Sequence, residues 1–185
     1  MIEVEFLGTG TSTGVPQLGC ECEVCKSSDP RDKRLRCSAI VRTQGVSLLI
    51  DCGPDFRQQM LRASDLHLDA LLITHSHYDH VGGMDDLRPY CRETPFPVYA
   101  QPNVVADIKA RIPYCFREHL YPGVPTFDMH PLTGKPFDVK GVRVEPLPVM
   151  HYKLPIFGYR IGNLAYITDA KTIPPSTMAR LQGID

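Results

Sequence analysis

From Thr74 to Gly82 the chain reads Thr-His-Ser-His-Tyr-Asp-His-Val-Gly, so His75, His77, Asp79 and His80 place three imidazoles and a carboxylate within six positions. A divalent metal is the simplest common purpose for such a group. Nitrogen and oxygen donors without a thiol suit Zn, Mn or Fe, and donor type alone does not choose among them. The apolar run Leu68–Ile73 before the cluster is short and bounded by turn signals, which predicts a buried strand ending at Thr74. If the backbone stays extended through Ser76, His75 and His77 leave the same face, because strand side chains repeat every two residues. Asp79 and His80 fall where the chain turns into the next segment, so they face elsewhere and can serve a second ion. Two-metal hydrolases hold their ions about 3.5–4 Å apart. A His-rich surface loop is the plain alternative, but four ligand-type residues in six positions directly behind a buried strand make a far more specific signal.

Two further strand ends deliver residues of ligand type. Gly141–Met150 alternates apolar and polar residues and ends at His151, while the hairpin 157–162 and 164–168, turning at Gly162-Asn163, ends at Asp169. A second cluster, Cys20, Cys22 and Cys25, sets three thiols within six residues. Close cysteines are typical zinc ligands, and a structural site usually needs four, so Cys37, Cys52, Cys91, Cys115 or a His would have to complete it; otherwise these are free thiols on a loop. His119 and His130 lie in a poorly patterned zone and read as surface or packing residues.

The elements that must position these groups follow from periodicity. Residues 2–7 alternate as a first strand and feed the small-residue loop Gly8–Pro16, whose spacing is neither G-x-G-x-x-G nor a P-loop, so it reads as a tight loop beside the site. The basic run Arg31, Lys33, Arg34, Arg36 is either a solvated loop or a means of steering an anionic substrate. Strands are expected at 38–42 and 46–50, around a turn at Thr43-Gln44-Gly45, and at 97–100. Helices are expected at 54–63, with Phe56, Met60 and Ala63 inward, at 81–88, ended before Pro89, at 102–111, with Val105, Ile108 and Ile112 inward, and at 172–182, with Met178 and Leu181 inward. Residues 112–125 are rich in proline and aromatics without a period, a candidate substrate-facing loop.

The pattern His75-x-His77-x-Asp79-His80 resembles the signature of the metallo-β-lactamase superfamily. That resemblance implies an α/β fold, a four-layer αββα sandwich with a dinuclear site at one edge, and it matches the order in which the ligands occur here. It implies that Asp51 supports the metal loop from behind, although by chemistry alone Asp51 is equally a turn residue. The glycine loop, the Cys20-x-Cys22-x-x-Cys25 loop, Cys37-Ser38, and His151-x-Lys153 followed by Phe157-Gly158-Tyr159 look like the phosphoribosyl cyclic phosphodiesterases of phosphonate breakdown. Carried over by position, His75, His77, His151 and Asp169 hold one Zn or Mn ion. Asp79, His80 and a shared Asp169 hold the second, with Asp79 also the candidate catalytic carboxylate. A structural zinc falls on Cys20, Cys22 and Cys25. In that branch a later C-terminal segment supplies another His to the second ion, a His for proton transfer and the fourth zinc ligand, whereas this sequence stops at Asp185. The expectation is therefore one domain, residues 1–185, with its C-terminal part missing or completed by another chain, including a second copy.

Composition narrows the function. With 185 residues, 43% hydrophobic and 22% charged, the chain has enough apolar content for one packed domain. The net charge of −1 gives no general attraction to nucleic acid or anionic membrane. No apolar run approaches the roughly 20 residues of a spanning helix, and Met1 to Gly10 lacks the basic start and apolar stretch of a signal peptide, so export is not expected. Seven cysteines without an export signal read as thiols or ligands, and the expected compartment is the cytoplasm. The leading expectation is a metal-dependent phosphodiesterase acting on a small, cyclic phosphodiester, with a hydroxide bridging the two ions as nucleophile. The alternatives are a tRNA-processing nuclease, a thioester or lactone hydrolase, and a metal-binding but inactive module.

Overall fold

The computed structural model describes residues 1–184, so the expectation that a new element begins at Ile184-Asp185 lies partly outside them. Among the described residues ten strands form two sheets. β1 (Ile2–Gly8), β2 (Ser38–Thr43), β3 (Val46–Ile50), β4 (Ala70–Leu72), β5 (Phe96–Ala100) and β6 (Phe127–Pro131) make the first in that order, antiparallel from β1 to β3 and parallel from β3 to β6. β7 (Phe137–Val139), β8 (Val142–His151), β9 (Leu154–Ile161) and β10 (Leu164–Tyr166) make the second, an antiparallel meander.

Alternation along the central strands sorts their side chains into two cores. Ala39, Val41, Leu48, Ile50, Ala70 and Leu72 turn toward Val142, Val144, Phe157, Tyr159 and Ile161 of the second sheet. Ile40, Leu49, Leu71 and Ile73 turn the other way, onto α2 (Phe56–Met60), α3 (Tyr78–Val81) and α4 (Pro102–Arg111) through Phe56, Met60, Val81, Val104, Val105 and Ile108. Strands buried on both faces carry apolar residues in continuous runs, which is why β3 and β4 read as they do. On the far side of the second sheet, α5 (Pro175–Ala179) lies against β8: the Thr177 hydroxyl donates to the Pro148 carbonyl at 2.6 Å and Arg180 pairs with Glu145. The result is the expected αββα sandwich. No helix among the described residues is long and apolar enough to cross a membrane.

Several expected elements differ. β6 and β7 are edge strands in the zone read as unpatterned; Pro131 closes β6, a position an edge strand tolerates because a missing N–H breaks no inner ladder. The expected helix at 81–88 is instead α3 followed by a 3-10 stretch, Met84–Cys91, that runs through Pro89. The first of these begins earlier because His77 is already extended and caps it. The helix expected at 54–63 shortens to α2, with Asp55 as its cap. At the C-terminus the regular helix is five residues long, and Met178 is exposed while Thr177 turns inward to bond β8. Residues 113–116 form a 3-10 turn in which the Tyr114 hydroxyl donates to Asp85, and beyond it the Gly123 carbonyl accepts from Arg88, so both contacts run to the 84–91 stretch.

Two bonds tie the sheets together where β4 ends. The buried Tyr159 hydroxyl donates to the Ile73 carbonyl at 2.6 Å, and the Phe157 N–H donates to the Thr74 carbonyl at 3.1 Å. Tyr159→Phe keeps the ring's packing but leaves a buried carbonyl unpaired, so it should lower stability by about 1–3 kcal/mol. Urea denaturation should show the midpoint fall with the slope unchanged; an unaltered midpoint would mean the carbonyl finds another partner.

Candidate metal centre

The buried strand β4 hands over to Thr74 and His75, both almost fully shielded, before the chain emerges at the exposed His77. Asp51, at the end of β3, sits behind them, fully buried and with a left-handed φ of 61°. Its carboxylate accepts the Thr74 N–H at 2.8 Å, the Thr74 hydroxyl at 2.8 Å and His80 Nδ1 at 2.7 Å. Since the Thr74 hydroxyl spends its proton on Asp51, it accepts from His75 Nδ1 at 3.0 Å, which makes Nδ1 the protonated nitrogen and leaves Nε2 with a free lone pair. His75 Nε2 lies 3.1 Å from His77 Nδ1.

The loops that carry Asp51 and His80 are locked by close backbone contact. Cys52 N–H donates to the His80 carbonyl at 2.7 Å and Gly83 N–H to the Cys52 carbonyl at 2.9 Å. Any Cβ on Gly53 would stand 2.0 Å from the Asp79 carbonyl oxygen, so only glycine fits there.

Two groups of donor atoms meet at this edge. Ligand atoms of His75, His77 and His151 lie within 4.8 Å of one another, and so do those of His75, His80 and Asp169. His80 Nε2 lies 3.3 Å from both Asp79 Oδ2 and Asp169 Oδ2. Asp169, with φ 54°, is oriented by the Thr168 hydroxyl at 2.7 Å, and that hydroxyl also faces the Cys37 thiol. Left-handed conformations at two aspartates cost about 1–3 kcal/mol each and are characteristic of sites that need a side chain re-aimed. The structure thus brings together His75, His77, Asp79, His80, His151 and Asp169, with Asp51 behind them. Thr74 and Thr168, which fix His75 and Asp169, were named by the sequence only as strand ends; their one signal is a hydroxyl immediately before a ligand-type residue.

Cys20, Cys22 and Cys25 form a separate group within the same 4.8 Å. The backbone N–H of Cys25 and the neighbouring thiols draw the Cys22 thiol below its ordinary pKa, while the Cys25 thiol, despite the Gln17 N–H, is pushed up by the Cys20 and Cys22 thiols and by burial. Cys37 instead bonds Tyr166, and Cys52 and Cys115 are buried elsewhere, so none of these completes the trio. His130 stacks on Tyr99 and pairs with Asp128, a packing role as expected.

The electrostatics suit a cation. Burial, with the nearby His80, presses the His75 pKa down to about 4, so this imidazole is neutral at pH 7 with its lone pair inward. Burial would lower His80 as well, but Asp51, Asp169 and Asp79 outweigh it and lift its pKa to about 11. The hydrogen bond from His80 holds Asp169 well below the usual carboxylate range. A proton on His80 therefore occupies a place where three carboxylates favour positive charge, and the nitrogen and oxygen donors fit one or two divalent ions.

Residues 47–185 match the family model described as "Beta-lactamase superfamily domain". A crystal structure described as a new diphosphatase from the PhnP family superposes with TM-score 0.90 and 38% identity, over all of this chain and 72% of its own. Zn-bound PqqB from Methylobacterium extorquens follows at TM-score 0.79 and 25% identity, over all of this chain and 71% of its own. Human tRNase Z, short form, at 20% identity and TM-score 0.69, shares the fold. Among curated sequences, an octanoyltransferase of Porphyromonas gingivalis is 52% identical over 170 residues, 91% of this chain and 35% of that protein. A coenzyme PQQ synthesis protein B of Methylorubrum populi is 36% identical over 58% of this chain and 40% of its own. The chain thus spans 35–40% of the length of these curated relatives.

With a folded pKa near 11 against an ordinary 6.5, the His80 contribution to stability is complete below pH 6.5 and is lost as pH rises through 11. Metal uptake near pH 7.5 should therefore displace about one proton. Calorimetric titration with Mn, which the cysteine group does not favour, in buffers of different ionisation enthalpy should show it; a heat independent of the buffer would contradict a protonated His80.

Proposed function

Because this chain belongs to the metallo-β-lactamase superfamily, we propose that it is a metal-dependent hydrolase that cleaves a small phosphodiester, the cyclic form being the one its sequence motifs imply. The observation that carries this reading is the meeting of His75, His77 and His151 with His80, Asp79 and Asp169 at one sheet edge. Likeness along the whole chain to a PhnP-family diphosphatase supports phosphoryl chemistry over other hydrolyses. The match to the octanoyltransferase spans 35% of that protein, so its name describes a chain that lies mostly outside the shared segment.

In this reading His75, His77, His151 and Asp169 hold one ion, and Asp79, His80 and Asp169 the other. Two divalent ions held there would supply Lewis acidity toward phosphoryl oxygens and lower the pKa of water from 15.7 to about 7. The protein's own residues supply orientation. Thr74 fixes the tautomer of His75, Asp51 aims His80 Nε2 outward, and Thr168 sets the Asp169 carboxylate. Such supporting partners typically change metal affinity or activity by about 10–100-fold. Asp79, a carboxylate at the mouth with part of its surface open, is the group placed to accept a proton from water arriving there. Net charge −1 and the lack of a long basic insertion favour a small substrate over RNA. In the same reading the three cysteines carry a structural zinc.

Purified protein should contain Zn or Mn and turn over bis(p-nitrophenyl) phosphate, with activity lost on chelation and restored by either metal. His77→Ala removes an exposed ligand without opening the core, so circular dichroism should be unchanged while bound metal falls and kcat/KM drops at least about a hundredfold. Unchanged turnover by this variant would place the activity elsewhere.

A further inference from the structure

His77 is the ligand-type histidine that the centre itself supports least. His75 is fixed by Thr74, His80 by Asp51 and Asp169 by Thr168. Among the described residues the His77 ring has a hydrogen-bond partner only in His75 Nε2, inside the ligand group. His151 also lacks an outer partner, but its backbone is held in the β8–β9 ladder opposite Leu154. His77 lies beyond β4, in no ladder, and is exposed. A metal-binding imidazole normally takes its orientation from a group outside the ligand set, so something else must aim this one.

Its two neighbours in the chain do have partners, and both partners are on α4. The Ser76 hydroxyl donates to Asp107 Oδ2 at 2.5 Å, and the Arg111 guanidinium lies over the Tyr78 ring, 5.9 Å from its centroid. Spacing explains how one helix holds both. The backbone at His77 is extended, φ −62° and ψ 149°, and in an extended chain neighbouring side chains point away from one another, with residues two apart separated by about 6.6 Å. Asp107 and Arg111 are four residues apart in the helix, so they share one face about 6 Å apart along the axis. At that separation an aspartate and an arginine ordinarily pair with each other. Here neither forms an ion pair among the described residues, and each turns to the metal loop instead.

The helix is a fixed support, because Val104, Val105 and Ile108 on its inner face belong to the same core as Leu71 and Ile73 of the strand segment that leads into the site. The Tyr78 ring also lies directly against Gly82, where a Cβ would stand 2.7 Å from its Cε2. We propose that Asp107 and Arg111 are positioning residues for His77: the outer face of α4 grips the residues on either side of it and so sets the place of its ring in the ligand group. Both act through Ser76 and Tyr78 rather than on a ligand atom. The inference rests on the reading of His77 as a metal ligand.

The test uses the full chain loaded with Mn, which the cysteine group does not favour, and titrates it with a chelator while released Mn is followed by electron paramagnetic resonance. Ser76→Ala and Asp107→Ala should each hold Mn about tenfold more weakly than the wild type. The double variant should hold it no more weakly than either single one, because the same bond is lost in all three. Ser76→Thr keeps a hydroxyl donor and Asp107→Asn an oxygen acceptor, so both should stay close to the wild type; the second also separates positioning from the plain attraction of a carboxylate for a cation. Arg111→Ala should weaken Mn binding by a smaller factor that adds to that of Asp107→Ala, since it acts through Tyr78. A bond that served only the fold would lower the urea midpoint of the chelated protein and leave Mn affinity as it was. Unchanged Mn affinity in Ser76→Ala and Asp107→Ala, additive losses in their double variant, or weak binding by Asp107→Asn overturns the role of Asp107, and unchanged affinity in Arg111→Ala overturns that of Arg111. His77→Ala, measured alongside, should lose Mn; if it holds Mn as the wild type does, the ligand reading and the inference fall together, whereas its loss of Mn beside intact Asp107→Ala and Arg111→Ala overturns the inference alone.

Discussion

A buried carboxylate is the constraint on which the rest of this structure depends. Asp51 has no exposed surface, and a buried charge is tolerable only when its oxygens are bonded. It takes the Thr74 N–H, the Thr74 hydroxyl and His80 Nδ1, so satisfying one side chain sets the end of β4, the tautomer of His75 and the aim of His80 at once. To reach them Asp51 must adopt a left-handed backbone. The local strain is offset by three bonds, two of them from groups that would otherwise be buried without partners.

Around that carboxylate the sandwich works as a converging frame. Parallel strands β3 and β4 deliver Asp51 and Thr74 from the first sheet, while β8 and the segment after β10 deliver His151 and Asp169 from the second. Loops are suited to carrying chemistry only when a rigid scaffold fixes their ends. Here the contact between the Cys52–Gly53 and Asp79–Gly83 segments leaves no space for a single methyl group, so the ligand-bearing turn is held as firmly as the strands.

Much of this was legible in the sequence because residue type and position carried the same message. His75, His77, Asp79 and His80 follow a strand that is buried on both faces, and His151 and Asp169 each close an alternating run. Short edge elements were less legible: Phe127–Pro131 has the alternation of a strand, but proline and histidine mask it, and three residues at 137–139 are too few to show a period. Met178 was read inward from helical spacing, whereas a five-residue helix has little face to bury and a threonine bond to β8 decides its rotation. Thr74 could not be identified as a support because its hydroxyl's partner, Asp51, lies 23 residues away in the chain, and Thr168 because residue type alone does not say that its hydroxyl turns to the neighbouring Asp169.

The pair of bonds that joins the sheets, from Tyr159 to the Ile73 carbonyl and from the Phe157 amide to the Thr74 carbonyl, sits immediately behind His75. The two halves of the ligand set belong to different sheets, so any opening of the sandwich at this seam pulls His151 away from His75 in the same movement. Local unfolding usually begins where few buried contacts must break, and here the seam is among the most enclosed parts of the molecule. Separation of the layers at this seam therefore splits the ligand set, taking away His151 while His75 and His80 stay where Asp51 holds them on the first sheet.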